Sequence, residues 1–121
     1  MLKIKLGNVL NVQSVLPKVL ENTLKIKTLY NFEKLTEKLS KELEFIEKNR
    51  NEMIKKYGEE LEPNKWVVKQ ENTELFVNEL KELLDIEIEL SEVEKIQIKE
   101  IEDVKLNADE YIGLKPFLNF P

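Results

Sequence analysis

The sequence predicts an α+β fold: one long helix and two or three shorter helices packed with short β-strands, in a single small domain spanning residues 1–121. Three observations carry that expectation. First, Phe32, Leu39, Ile46 and Met53 recur seven residues apart, with Leu35, Leu43 and Tyr57 beside them, which draws one apolar stripe along a helix over 29–57. Second, short segments alternate apolar and polar residues with the period of a half-buried strand: 2–6, 85–90 and 95–99. Third, 121 residues with 41% apolar composition can enclose one core but not two.

Element by element, Leu2, Ile4 and Leu6 alternate with Lys3 and Lys5 in an opening strand, and Gly7-Asn8 reads as a turn. Val9, Val12, Leu16, Val19 and Leu20 then follow helical spacing around Pro17. Proline fits a first turn or a kink, so this stretch is a kinked helix or a turn followed by a short helix. Leu24 to Lys27 alternates again, with Thr28 as a cap for the long helix. Gly58 is placed to stop that helix in the left-handed conformation. Residues 59–65 form a polar connection turning at Pro63-Asn64, and Trp66-Val67-Val68 is a short strand. Asn72 or Thr73 caps a helix over 73–84 with Leu75, Phe76, Leu80, Leu83 and Leu84 on one side. The strand at 85–90 precedes the one at 95–99 at a distance suited to a hairpin or a crossover. Asn107 caps a last short helix, 108–114, and an apolar tail at 115–118 either locks onto the domain or inserts into a neighbour.

Missing residue types exclude much chemistry. With no Cys and no His there is no thiol nucleophile, no Ser-His-Asp triad, no zinc finger, no haem ligation and no disulfide. Gly7, Gly58 and Gly113 are isolated, so no phosphate-binding glycine loop exists and no cofactor is expected. Carboxylates remain: Glu87 and Glu89 share a strand face, with Glu92 and Glu94 after them. Two carboxylates at that spacing can hold a hard cation. Alternating Ile and Glu is also the ordinary pattern of a half-buried strand, and these residues are assigned to its solvated side. The expected protein is not an enzyme.

Charge is uneven: residues 1–57 carry 12 basic and 7 acidic groups, net +5, and residues 58–121 carry 7 basic and 17 acidic, net −10. The halves either neutralise each other on packing or leave an acidic surface for a basic partner. On the long helix, Glu37–Lys41, Glu44–Lys48 and Glu52–Lys56 stand at the i,i+4 spacing of intrahelical ion pairs. A phosphate-tracking face keeps its cations unpaired, so no nucleic-acid partner is expected. No run of 18 apolar residues and no signal-peptide pattern is present, which points to a cytoplasmic protein without a membrane partner.

The stripe of the long helix loses its apolar character at Asn49 and Arg50, and the polar loop after Gly58 leads to Trp66, the sole tryptophan. If the helix end and the strand at 66–68 fold beside each other, Arg50, Tyr57 and Trp66 come to one end of the domain. These residue types dominate binding energy at interfaces, which makes the trio the candidate partner-binding site. The alternative is that Tyr57 and Trp66 seal the core beneath the loop.

In order, the pieces resemble a family of small phage and prophage proteins of unknown biochemical role. The likeness covers about residues 7–118. It rests on Asn49-Arg50-Asn51-Glu52-Met53-Ile54-Lys55 leading into a Lys56-Tyr57-Gly58-Glu59 stop, on Phe76 to Leu84 running into Ile86-Glu87-Ile88-Glu89-Leu90, and on the closing Leu114-Lys115-Pro116-Phe117. The family's loop glycine and aspartate are replaced here by Glu59 to Asn64. What the resemblance implies is a phage origin more than any activity, since every shared motif is structural. The function expected from the whole reading is a non-catalytic, phage-encoded protein binding another protein in the host cytoplasm or the virion. Its partner is then a phage structural protein, in tail or head morphogenesis, or a host factor or defence protein that it modulates. The oligomeric state stays open.

Overall fold

A computed structural model describes residues 2–91 and 93–120. The fold is α+β. Its elements are strand β1 (Leu2–Lys5), helices α1 (Leu6–Gln13), α2 (Leu16–Leu20) and α3 (Ile26–Tyr57), strands β2 (Gly58–Glu62) and β3 (Lys65–Val68), helix α4 (Thr73–Leu84), strands β4 (Glu87–Leu90) and β5 (Ile96–Gln97), helix α5 (Ala108–Leu114) and strand β6 (Leu118–Asn119). Single 3-10 turns occupy Gln70–Asn72, Ile98–Ile101 and Lys115–Phe117.

One core holds these elements together. Phe32, Leu35, Leu39 and Ile46 of α3 pack against Leu6, Val9 and Val12 of α1, Leu16 and Val19 of α2, and Leu114, Phe117 and Leu118 near the C-terminus. Each fully buried side chain of this size contributes about 1.5–3 kcal/mol relative to exposure. Leu43 and Met53 complete the α3 stripe as half-buried residues at its margin. The expected apolar tail locks onto the domain: Phe117 and Leu118 are buried, and the half-exposed Phe120 sits edge-on to Tyr111 with ring centroids 6.4 Å apart. At Pro17 the chain takes the second of the two expected forms, a turn after α1 and then a short helix with proline in its first turn.

Strand pairing joins segments far apart in sequence. β1 and β4 are antiparallel, with Leu2 opposite Leu90, Lys3 opposite Glu89, Ile4 opposite Ile88 and Lys5 opposite Glu87. The strand expected at 95–99 is only Ile96–Gln97, and it pairs neither way with β4; it runs parallel to β6. Its remaining residues turn into the 3-10 helix that buries Ile101. The β4 strand is shorter than the alternation suggested, because Asp85 ends α4 and the Ile86 carbonyl accepts the Leu6 N–H at 3.0 Å.

Four further expectations are corrected. Gly7-Asn8 is no turn, since α1 begins at Leu6 and Asn8 Oδ1 accepts the Lys5 N–H at 2.9 Å, carrying the chain from strand to helix directly. A Cβ on Gly7 would stand 3.3 Å from the Leu84 carbonyl oxygen, so the glycine permits close contact of α1 with α4. Leu24 to Lys27 is not a strand; α3 starts at Ile26, and Thr28 lies buried inside it rather than capping it. Four alternating residues fit the first turn of a helix as well as a strand. Residues 59–62 are strand, not connection, because pairing with β3 supplies an order that their all-exposed sequence does not signal. Leu75 of α4 is 54% exposed, leaving Leu83 as that helix's buried residue with Phe76, Leu80 and Leu84 half-buried.

The capping of α5 matches the sequence. Asn107 Oδ1 accepts the Glu110 N–H at 2.8 Å, and Glu110 Oε1 accepts the Asn107 N–H at 2.9 Å. The same carboxylate oxygen is 2.6 Å from Lys18 Nζ, which ties α5 to α2. These contacts, the Asn107 N–H first, hold the Glu110 carboxyl below its usual range.

Candidate functional site

The candidate end is built by the last turns of α3, the β2–β3 hairpin and the start of α4. Gly58 joins the first two. Its backbone is extended, φ −119° and ψ −172°, and not left-handed as the sequence suggested. Glycine is needed there for space: a Cβ would be driven against the carbonyl oxygens of both Ile54 and Val67. The hairpin therefore lies directly across the helix terminus. Its turn carries Asn64 at φ 66°, the left-handed position expected of a Pro-Asn turn. The register is Gly58 opposite Val68, Glu59 opposite Val67 and Glu60 opposite Trp66, with a bulge at Leu61.

The Tyr57 carbonyl is the second joint. It accepts the Lys69 N–H at 3.0 Å and the Asn72 side-chain amide at 3.1 Å, so the end of α3 fixes the approach to α4. Asn72 spends its side chain on this bond and does not cap α4 with it. Lys56 reaches across to Glu79 of α4 at 3.4 Å instead of back to Glu52. Its ammonium also lies 5.0 Å from the Tyr57 ring centroid. Tyr57, and then Lys56, hold the Glu79 carboxyl below its usual range; Tyr57 and Glu79 together raise Lys56.

Trp66 is half-buried in a recess with Asn51, Ile54, Lys55 and Asn64, its ring 5.9 Å from Lys55 Nζ. On the opposite face of the hairpin, Val67 is 42% exposed, and Leu61 at the bulge is 62% exposed. Arg50 and Tyr57 occupy the α3 stripe that also carries Ile46 and Met53, about a third of a turn round from the residues under Trp66. Tyr57 and Trp66 thus share the end of the domain on different faces of α3, while Arg50 lies two turns back, half-buried and without an ion pair or side-chain hydrogen bond among the described residues. Sequence reasoning missed Lys55, Asn72 and Glu79, whose roles arise only when hairpin and α4 fold back on α3.

The carboxylates weighed as a cation site are placed otherwise. Glu89 is 3.6 Å from Lys3, and Glu87 stands opposite Lys5, whose ammonium reaches Asp85 at 3.8 Å. Glu94 is exposed, and Glu92 lies outside the described residues. Among the described residues no group of three or more Asp or Glu side chains is gathered to hold a metal ion, and no helix is long and apolar enough to cross a membrane. Comparison with protein families, curated proteins and solved structures found no match for this chain.

Proposed function

We propose that the chain is a non-catalytic, phage-encoded protein that acts by protein–protein contact in virion morphogenesis, working in the host cytoplasm and carried into the particle. The observation that carries this reading is surface. The accessible area is 8543 Å² for 14.3 kDa, where a compact monomer of that mass exposes about 6800 Å². At 32 residues, α3 is about 48 Å long, whereas a compact chain of 121 residues is about 35 Å across. Its far end carries the hairpin, which exposes Leu61 and Val67 on the face turned away from the half-buried Trp66 and its cationic neighbour Lys55. Exposed apolar side chains bordered by Glu59 and Glu62, on a hairpin held to α3 through Trp66, have the composition of a binding surface.

A host factor as target is the second reading, favoured by Glu59 and Glu60. Both stand across from apolar residues, with no ion pair among the described residues, so a basic partner would find them free.

Affinity capture from infected cells with the wild-type chain and with Leu61→Ser/Val67→Ser separates the outcomes. Both positions are exposed, so the variant keeps its melting temperature while Trp66→Ala mixes packing with binding. Recovery of a virion protein in stoichiometric amount, lost with the variant, is the expected result. A host protein lost in the same way moves the assignment to the second reading. Absence of any stoichiometric partner, or capture indifferent to the variant, overturns the proposal.

A further inference from the structure

The outer side of α3, opposite the core stripe, carries Glu37, Lys41, Glu44 and Lys48 at positions that fall on one face of the helix, and all four are exposed. The i,i+4 ion pairs expected among them do not close: none of the four has an ion pair or side-chain hydrogen bond among the described residues. Their order, acid-base-acid-base, is complementary to its own reverse. Laid antiparallel on a second copy, Glu37 meets Lys48 and Lys41 meets Glu44, each pair occurring twice about a two-fold axis. In the same register the hairpin end, with Leu61 and Val67 exposed, comes beside the partner's Ile26 and Tyr30, which are 80% and 59% exposed at the start of α3. The hairpin lies against Asn51 and Lys55, which share the side of α3 that bears Ile26 and Tyr30, and against Ile54 at the edge of that side, so helix face and hairpin can engage one partner together.

We infer that this outer face of α3 is a self-association surface, and that its occupant is a second, antiparallel copy of the chain. The inference rests on the reading of the chain as a protein-contact protein and names one of its partners. A stable dimer buries about 800 Å² on each side, well within the surplus surface noted above. Two-fold symmetry is the commonest closed arrangement of identical chains, and it demands the self-complementarity that these four residues have. Other charges bordering the surface are Glu33 and Glu52, which this register brings together, and Glu59 and Glu60 of the hairpin, which approach the partner's Lys25 and Lys27.

Sedimentation equilibrium of the purified chain at tens of micromolar, with charge-reversed variants, tests it. Wild type is expected to be a dimer. Lys41→Glu/Lys48→Glu and Glu37→Lys/Glu44→Lys each place like charges in every pair, and each should weaken association at least about tenfold. Mixed in equal amounts, the two variants should restore association as a heterodimer. Ile26→Ser, outside the charged span, should weaken it without changing helix content, which guards against a charge variant that fails to fold. A wild type that stays monomeric, or a dimer insensitive to the reversals, or a mixture that fails to re-associate, overturns the inference. None of these results bears on capture of a heterologous partner, so failure here is distinguishable from failure of the functional reading.

Discussion

Gly58 offers a sharp test of how the hairpin is held on α3. A glycine closing a helix through the left-handed conformation is replaced best by asparagine, which tolerates positive φ. In this fold Gly58 is extended, a conformation open to every residue, and what excludes a side chain is the pair of backbone carbonyls of Ile54 and Val67. Neither oxygen belongs to a flexible side chain, so a Cβ must push β3 off the helix end. Overpacking of this kind costs about 1–3 kcal/mol. Retreat of β3 also strains the neighbouring bond from the Lys69 N–H to the Tyr57 carbonyl, worth about 0.5–1.5 kcal/mol. Gly58→Ala and Gly58→Asn should therefore be destabilised alike, by about 1.5–4.5 kcal/mol. Urea unfolding followed by the fluorescence of Trp66, beside the joint, measures both. An asparagine variant within about 0.5 kcal/mol of wild type, with alanine clearly worse, would refute the close-approach account and restore the left-handed stop.

Other parts of the fold give equally definite expectations. Leu39, 1% exposed at the centre of the α3 stripe, should lose about 2–5 kcal/mol on truncation to Ala by urea unfolding, and a loss below about 0.5 kcal/mol would mean the stripe is not in a closed core. Asn107→Ala removes the side-chain cap of α5 and should cost about 0.5–2 kcal/mol, read as a lowered melting temperature. The α3–α4 joint should depend on pH in both directions. Glu79 is held below its ordinary 4.5, so its contribution is present above that pH and lost as pH falls through the lower folded value. Lys56 is raised above its ordinary 10.5, so its contribution is present below that pH and lost as pH rises through the higher folded value. Glu79→Gln should flatten the acid limb of urea midpoint against pH while leaving the part due to Glu110.

What could be read from the sequence was whatever depends on local periodicity and capping. The seven-residue recurrence from Phe32 to Met53 announces α3, the stripe from Leu80 to Leu84 announces α4, and Asn107 with Glu110 announces α5. What could not be read depends on which distant segments meet. Glu59 to Glu62 carries no strand pattern because every residue is exposed, and only β3 beside it makes it a strand. Ile96–Gln97 pairs with Leu118–Asn119, a parallel match that no alternation specifies. The candidate end was legible in part: the approach of Tyr57 and Trp66 follows from a helix, a turn and a strand in succession. The separation of Arg50 from Trp66 follows from which face of α3 the hairpin chooses, and that choice is made by Gly58 and its neighbours in space.

Amide hydrogen exchange on the chain, free and in complex with its captured partner, bears most directly on the claim that it works through protein contact at the hairpin end. The account predicts slowed exchange across β2 and β3 in the complex, centred on Leu61 to Val67, with the core amides of α1 unchanged. Unaltered exchange in the hairpin, with protection appearing only elsewhere, would contradict it.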